Sequence, residues 1–106
     1  MVNNTLEKDV RQFIVKKLPV VTTLLLKKVV IDDDEPLQSL HEWDDVGDMT
    51  EAYFQHFNVS PENFLLRNYY PWETSFFKRK NQNLDKSALT IRMFIESAKA
   101  GRWLYD

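Results

Sequence analysis

Five residues within one short stretch, His41, Glu42, Asp44, Asp45 and Asp48, are of the types that hold a metal ion. Carboxylate oxygens suit calcium, magnesium or manganese, and one imidazole could add a nitrogen ligand. Their spacing matches no calcium-loop pattern, and an acidic helix start has a sufficient reason in the helix dipole. No metal site is therefore expected. His41 and His56 have no activated serine partner, and the chain contains no cysteine. A nucleophilic triad has nothing to build on, so no enzymatic activity is expected.

Lys78, Arg79 and Lys80 follow Phe76 and Phe77, a combination of charge and rings that could contact nucleic acid. The pI of about 5.7 and the acidic middle of the chain argue against it, and a solvated loop behind two core-anchoring rings is expected instead. Hydroxyls are a further resource. Ser39 is the one hydroxyl just ahead of the second helix, and Ser60 lies beyond its far end, where it reads as a cap for the following helix.

Charge is segregated along the chain. Residues 1–28 hold six Lys/Arg and two Asp/Glu; residues 29–66 hold ten Asp/Glu and no Lys/Arg; residues 67–106 hold eight Lys/Arg and four Asp/Glu. An acidic block without interspersed cations attracts basic protein surfaces or divalent cations and repels nucleic acid. Neutralisation of that block by the basic flanks after folding is the alternative, and both stand at this point.

A chain of 106 residues fits one domain spanning 1–106 with a single core. With 43% hydrophobic residues, 13% aromatics, two glycines and four prolines, the composition is that of a globular protein held by packing alone. MVNNTLEKDVRQF lacks the basic and apolar regions of a signal peptide, and no apolar run reaches a membrane span, so a cytoplasmic protein that avoids membranes is expected.

These residues need elements to position them. Asn4 with Glu7 reads as a capping-box variant, and Leu6, Val10, Phe13, Ile14 and Leu18 recur at helical spacing, giving a first helix over about 5–17 that ends before Pro19. A long connection follows. Its segment 20–31 is compatible with either strand or helix, and a short strand near 28–31 is expected. Asp45 reads as the N-cap of the second helix, with Asp48 in its first turn. Val46, Met49, Tyr53, Phe54 and Phe57 give that helix a packed side; Asp44, Asp48, Glu51 and Gln55 give it an acidic one. Ser60 and Pro61 would start a short third helix closed by Pro71. Thr90 caps the last helix, Ile91, Phe94, Ile95 and Ala98 line its apolar face, and Gly101 suits its C′ position. Trp103, Leu104 and Tyr105 are then free to fold back on the core.

The order of helix, long connection, acidic turn, amphipathic second helix, short third helix and final helix resembles acyl and peptidyl carrier proteins. Leu37 and Leu40 stand in the connection, and YFQHFNV matches the end of the second helix, over roughly residues 5–70. A closer likeness is carried by DDVGD at the start of the second helix, FNV at its end, YYPWE, and LTIRMFIESAKAGRW. On those segments the chain resembles a small bacterial family of unknown function with carrier-protein-like architecture. The resemblance implies a mainly α fold, an acyl-carrier-protein-like four-helix bundle with room for one or two short strands.

In a true carrier, the resemblance implies a serine at the start of the second helix that receives a phosphopantetheine arm, where the positive helix end favours a phosphodiester. Counting back from Phe57 puts Trp43 at that place, and tryptophan has no hydroxyl. No cofactor is therefore expected; Ser39 is the only nearby alternative carrier of an arm. The expected function is non-enzymatic docking of the acidic second helix onto a basic protein surface through Asp44, Asp48 and Glu51, with Trp43 as an apolar anchor. Two alternatives are a true carrier modified at an atypical serine and a helical domain that binds a small ligand. If Trp43 and Trp72 are exposed together, they would form an anchor patch.

Overall fold

Helix α1 (Val2–Lys17) carries the apolar stripe its spacing requires: Val10 and Ile14 are fully buried, and Leu6 and Phe13 pack against the core from its rim. These coordinates come from a computed structural model, which describes residues 2–18, 32–72 and 86–105, with side chains from residue 5 onward. Segment 20–31, with its undecided strand or helix, lies outside the described residues, as do Phe76, Phe77 and the basic run 78–80. The first helix starts ahead of the expected Asn4 cap. Glu7 has a different task from capping, accepting a hydrogen bond from Lys99 Nζ at 2.8 Å and so tying α1 to the last helix.

Helix α2 (Trp43–His56) begins two residues before the expected Asp45 cap. The residue preceding it, Glu42, is extended and makes no side-chain cap, and its carbonyl accepts the first helical bond from Val46 N at 3.1 Å. Asp44 and Asp45 therefore fill the first turn, where the macrodipole favours carboxylates, and Asp48 falls in the second. Its two faces follow the spacing: Val46, Met49 and Tyr53 are buried, while Asp44, Asp48, Glu51 and Gln55 are exposed.

Helix α3 (Ile91–Ala100) has both expected ends. Thr90 Oγ1 accepts from Met93 N at 3.3 Å, and Gly101 closes the helix at φ 80°, a left-handed conformation that suits a residue without a Cβ. Ile91, Phe94 and Ile95 are buried. Among the described residues the protein is mainly helical and has no strand; α1 packs chiefly on α3 and secondarily on α2.

The short third helix departs from expectation. Ser60 caps nothing: its N–H donates to Gly101 O at 3.0 Å and its carbonyl accepts from Trp103 N at 2.9 Å, forming an isolated parallel bridge with the C-terminal tail. The only helical turn in this region is a 3₁₀ turn at Leu66–Asn68. Pairing with the tail uses the backbone that a helix starting at Ser60 would have needed. That pairing steers Trp103 inward. Its ring is 1% exposed and meets Phe54, Phe64, Phe94 and Tyr105 at centroid distances of 5.0–6.0 Å. Ser97 Oγ accepts from Leu104 N at 3.1 Å and secures the tail a second time. Tyr53 spans α2 and α3 through its hydroxyl, which donates to Phe94 O at 2.6 Å.

One buried amide joins three separate parts of the chain. Gln38, 4% exposed, sits in a 3₁₀ turn (Leu37–Ser39) just before α2. Its Nε2 donates to Tyr69 O at 3.2 Å and Ser87 O at 2.6 Å, and its Oε1 accepts from Leu89 N at 2.8 Å. The two acceptors and one donor that it meets leave only one amide orientation open. Leu37 N adds a bond to Leu89 O at 2.7 Å. Replacing Gln38 with Met keeps the volume but withdraws all three bonds, and we expect urea denaturation to show a loss of about 2–4 kcal/mol. A change within about 0.5 kcal/mol of the native chain would mean that the amide does not hold these segments.

Candidate functional site

The start of α2 and the segment before Pro71 form one surface. Leu37 O accepts from both Leu40 N and His41 N, closing the turn, and extended Glu42 then passes the chain into α2 with Trp43 as its first residue. Trp43 is 62% exposed. Opposite it, the tyrosine-rich segment is secured by the Tyr70 hydroxyl, which donates to His41 O at 2.8 Å. The Tyr70–Pro71 peptide bond is cis. Gly47 lets α2 lie close to this segment, since a Cβ there would stand 3.3 Å from Leu66 Cδ2.

Two cavities open beside Trp43. An apolar groove of about 390 Å³ is lined by Trp43, Leu66, Arg67, Tyr70 and Pro71. A smaller cavity of about 170 Å³ shares Trp43, Tyr70 and Pro71 with it and adds Gln38, His41, Glu42 and Trp72. Trp43 and Trp72 both line the smaller cavity, but only Trp43 is exposed; Trp72 is half-buried, so the joint exposure that an anchor patch required is not met. Leu66, Arg67, Tyr70 and Pro71 were not among the sequence-derived site residues. YYPWE carried a signal of large rings, but nothing in its periodicity placed them beside α2.

His41 is the unusual wall residue. It is 6% exposed, and its Nε2 has no hydrogen-bond partner. Burial pushes its pKa below the ordinary 6.5, opposed by the nearby Asp45 carboxylate. Burial also pushes the Tyr70 hydroxyl above its usual range, assisted by Glu42 and Asp45. Both side chains are therefore neutral at pH 7. Among the described residues no three His, Cys, Asp or Glu side chains come together as a metal site would need, so the five residues of the 41–48 stretch are not gathered around one point.

The acidic block divides in two. Asp33 is held by a bidentate Arg11 guanidinium at 2.7 and 2.8 Å, and Asp34 by Arg92 at 2.6 and 3.1 Å. Those guanidinium hydrogen bonds lower both carboxyl pKa values. At these two carboxylates the basic flanks supply the neutralising charge. Asp44, Asp48 and Glu51 differ, for each is exposed and none is ion-paired with a cation among the described residues. Ser39 is exposed in the 3₁₀ turn ahead of α2, and Trp43 occupies the helix start.

A family model described as "Protein of unknown function (DUF1493)" matches residues 3–106. The chain belongs to this family. No curated protein and no solved structure was found to match it. The match takes in α2, α3, all but the first residue of α1 and both walls of the groove, so the surface beside Trp43 lies within the family's domain. No helix among the described residues is long and apolar enough to cross a membrane.

The His41 environment has a consequence for pH. An unfolded chain takes up a proton near pH 6.5, whereas the folded chain resists it, so the unfolded state binds more protons just below that pH. Stability present above pH 6.5 is then lost as pH falls towards the lower folded pKa. Thermal melts should show a falling midpoint between about pH 7.5 and about pH 5.5, with the slope flattened in His41→Gln. An equal slope in the two proteins would remove His41 as the cause.

Proposed function

We propose that this chain is a non-enzymatic, carrier-protein-like docking domain without a phosphopantetheine arm, which binds a basic protein surface through α2. The observation that carries the reading is the juxtaposition of an exposed Trp43 with Asp44, Asp48 and Glu51 on the same helix, all exposed and unpaired among the described residues. Folding supplies cations to Asp33 and Asp34 of the acidic block; on this helix it supplies none among the described residues. Carboxylates on a rigid helix steer a basic partner at long range, and an aromatic side chain beside them supplies close-range burial.

The carrier-like part of the reading is supported by the order of elements. Among the described residues, α1, the 3₁₀ turn at Leu37–Ser39, the acidic α2, the turn at Leu66–Asn68 and α3 follow one another along the chain. On the carrier resemblance Trp43, the first residue of α2, takes the place of the serine, which is why the proposed mode is contact and not covalent transfer. The exposure of Ser39 favours a second reading, a carrier armed in the preceding turn.

Charge reversal of Asp44, Asp48 and Glu51 to Lys should abolish recovery of partners from lysate while leaving the thermal midpoint nearly unchanged, because all three side chains are exposed. Unaltered recovery of every partner would refute docking through α2. Intact mass after incubation with a phosphopantetheinyl transferase should stay constant. A gain of one arm that disappears in Ser39→Ala would establish the carrier reading instead.

A further inference from the structure

The two cavities beside Trp43 differ in character while sharing a wall. The larger is bounded by Leu66, Pro71 and the Trp43 and Tyr70 rings; the smaller adds Trp72, the Glu42 carboxylate and His41. Three aromatic residues thus border a space that Glu42 also lines. Planar cations are attracted to indole and phenol faces, and a guanidinium can stack on a ring while donating to a carboxylate in its own plane. The surrounding charge has the matching sign: Glu42 is exposed, and Asp44 and Asp45 follow it in the first turn of α2. The same wall holds a polar atom with no partner, Nε2 of His41, in a side chain that is 6% exposed. Burial keeps that imidazole neutral, so it adds no repulsion against a cation. Arg67 lines the larger groove and not the smaller cavity, so its charge disfavours a cation in the former and favours the Glu42 side.

We propose that this bipartite site receives an arginine of the partner, its guanidinium among Trp43, Tyr70 and Trp72 against Glu42, with a neighbouring apolar side chain in the groove over Leu66. This inference rests on the docking reading and names the chemistry of its central contact. Arginine is preferred over lysine because three aromatic residues bordering one small space favour a flat, weakly hydrated cation over a compact, strongly hydrated ammonium. The carboxylates of Asp48 and Glu51 lie further along α2, outside both sets of lining residues; they steer the approach and do not select the side chain.

The test uses the full chain and a capped tripeptide probe, acetyl-Leu-Gly-Arg-amide, with versions carrying Lys or citrulline in place of Arg. Titrations are followed by intrinsic tryptophan fluorescence and by the indole N–H resonances. The Arg probe should bind saturably and shift the Trp43 and Trp72 indoles, with binding about tenfold weaker for the Lys probe and for Glu42→Gln, and weaker still for citrulline. Trp43→Ala, a change at an exposed position, should abolish the effect while leaving the thermal midpoint nearly unaltered. Asp48→Asn with Glu51→Gln should leave probe affinity within about twofold at moderate salt, since exposed charges a few residues away are screened. Equal binding of the Arg and citrulline probes, or no saturable binding, would overturn the arginine site. If that occurs while lysate partners still depend on Asp44, Asp48 and Glu51, the docking reading survives alone; if partner recovery is also indifferent to those charges, both fail.

Discussion

Burial of one neutral amide organises this protein. Gln38 is almost inaccessible to water and bonds to Tyr69 O, Ser87 O and Leu89 N, so three chain segments far apart in sequence meet at one side chain. A buried amide with unmet donors would cost more than its burial could return, which makes its satisfaction a condition on all three segments at once. The position of Tyr69 fixes that of Tyr70, and Tyr70 in turn bonds to His41 O at the entrance to α2. The groove beside Trp43 therefore inherits its shape from a polar contact behind it. No apolar contact would impose the same register, because hydrophobic burial is non-directional.

A second constraint is the division of charge. Arg11 and Arg92 reach Asp33 and Asp34 from α1 and α3, and a backbone bond from Arg92 N to Asp33 O at 2.9 Å fixes the turn against the start of α3. Lys99 and Glu7 join the same two helices. Surface pairs of this kind contribute little individually, about 0–1 kcal/mol each, so their larger effect is on where unbalanced charge remains. Cations from both flanks are committed to the turn before α2, and the carboxylates of α2 keep their field. The same folding event thus pairs Asp33 and Asp34 with cations and leaves the carboxylates of α2 without one among the described residues.

The C-terminal tail shows how the core compensates for a small number of elements. Gly101 reverses the chain, the Ser60 backbone pairs with it on either side of Arg102, and Trp103 enters a cluster of rings. The indole N–H has no acceptor there. An unmet donor costs about 1–3 kcal/mol, while a buried indole removes on the order of 150–250 Å² from water, so burial wins.

Local rules written into the sequence determined the helices and their faces. The 3.6-residue recurrence of Val10 and Ile14, and of Val46, Met49 and Tyr53, placed those side chains inside, and Thr90 and Gly101 marked both ends of α3, because periodicity and capping depend only on near neighbours. The same rules misplaced the start of α2 and the role of Ser60, where backbone groups found distant partners that no local signal announces. Trp43 and the acids of α2 were legible as candidate site residues because exposure follows from the helical face. Their assembly with Leu66, Tyr70, Pro71 and Trp72 was not, since that wall is brought into place by Gln38 and Tyr70 hydrogen bonds spanning some thirty residues. Sequence alone decided which side chains would face water; tertiary hydrogen bonding decided which of them would face each other.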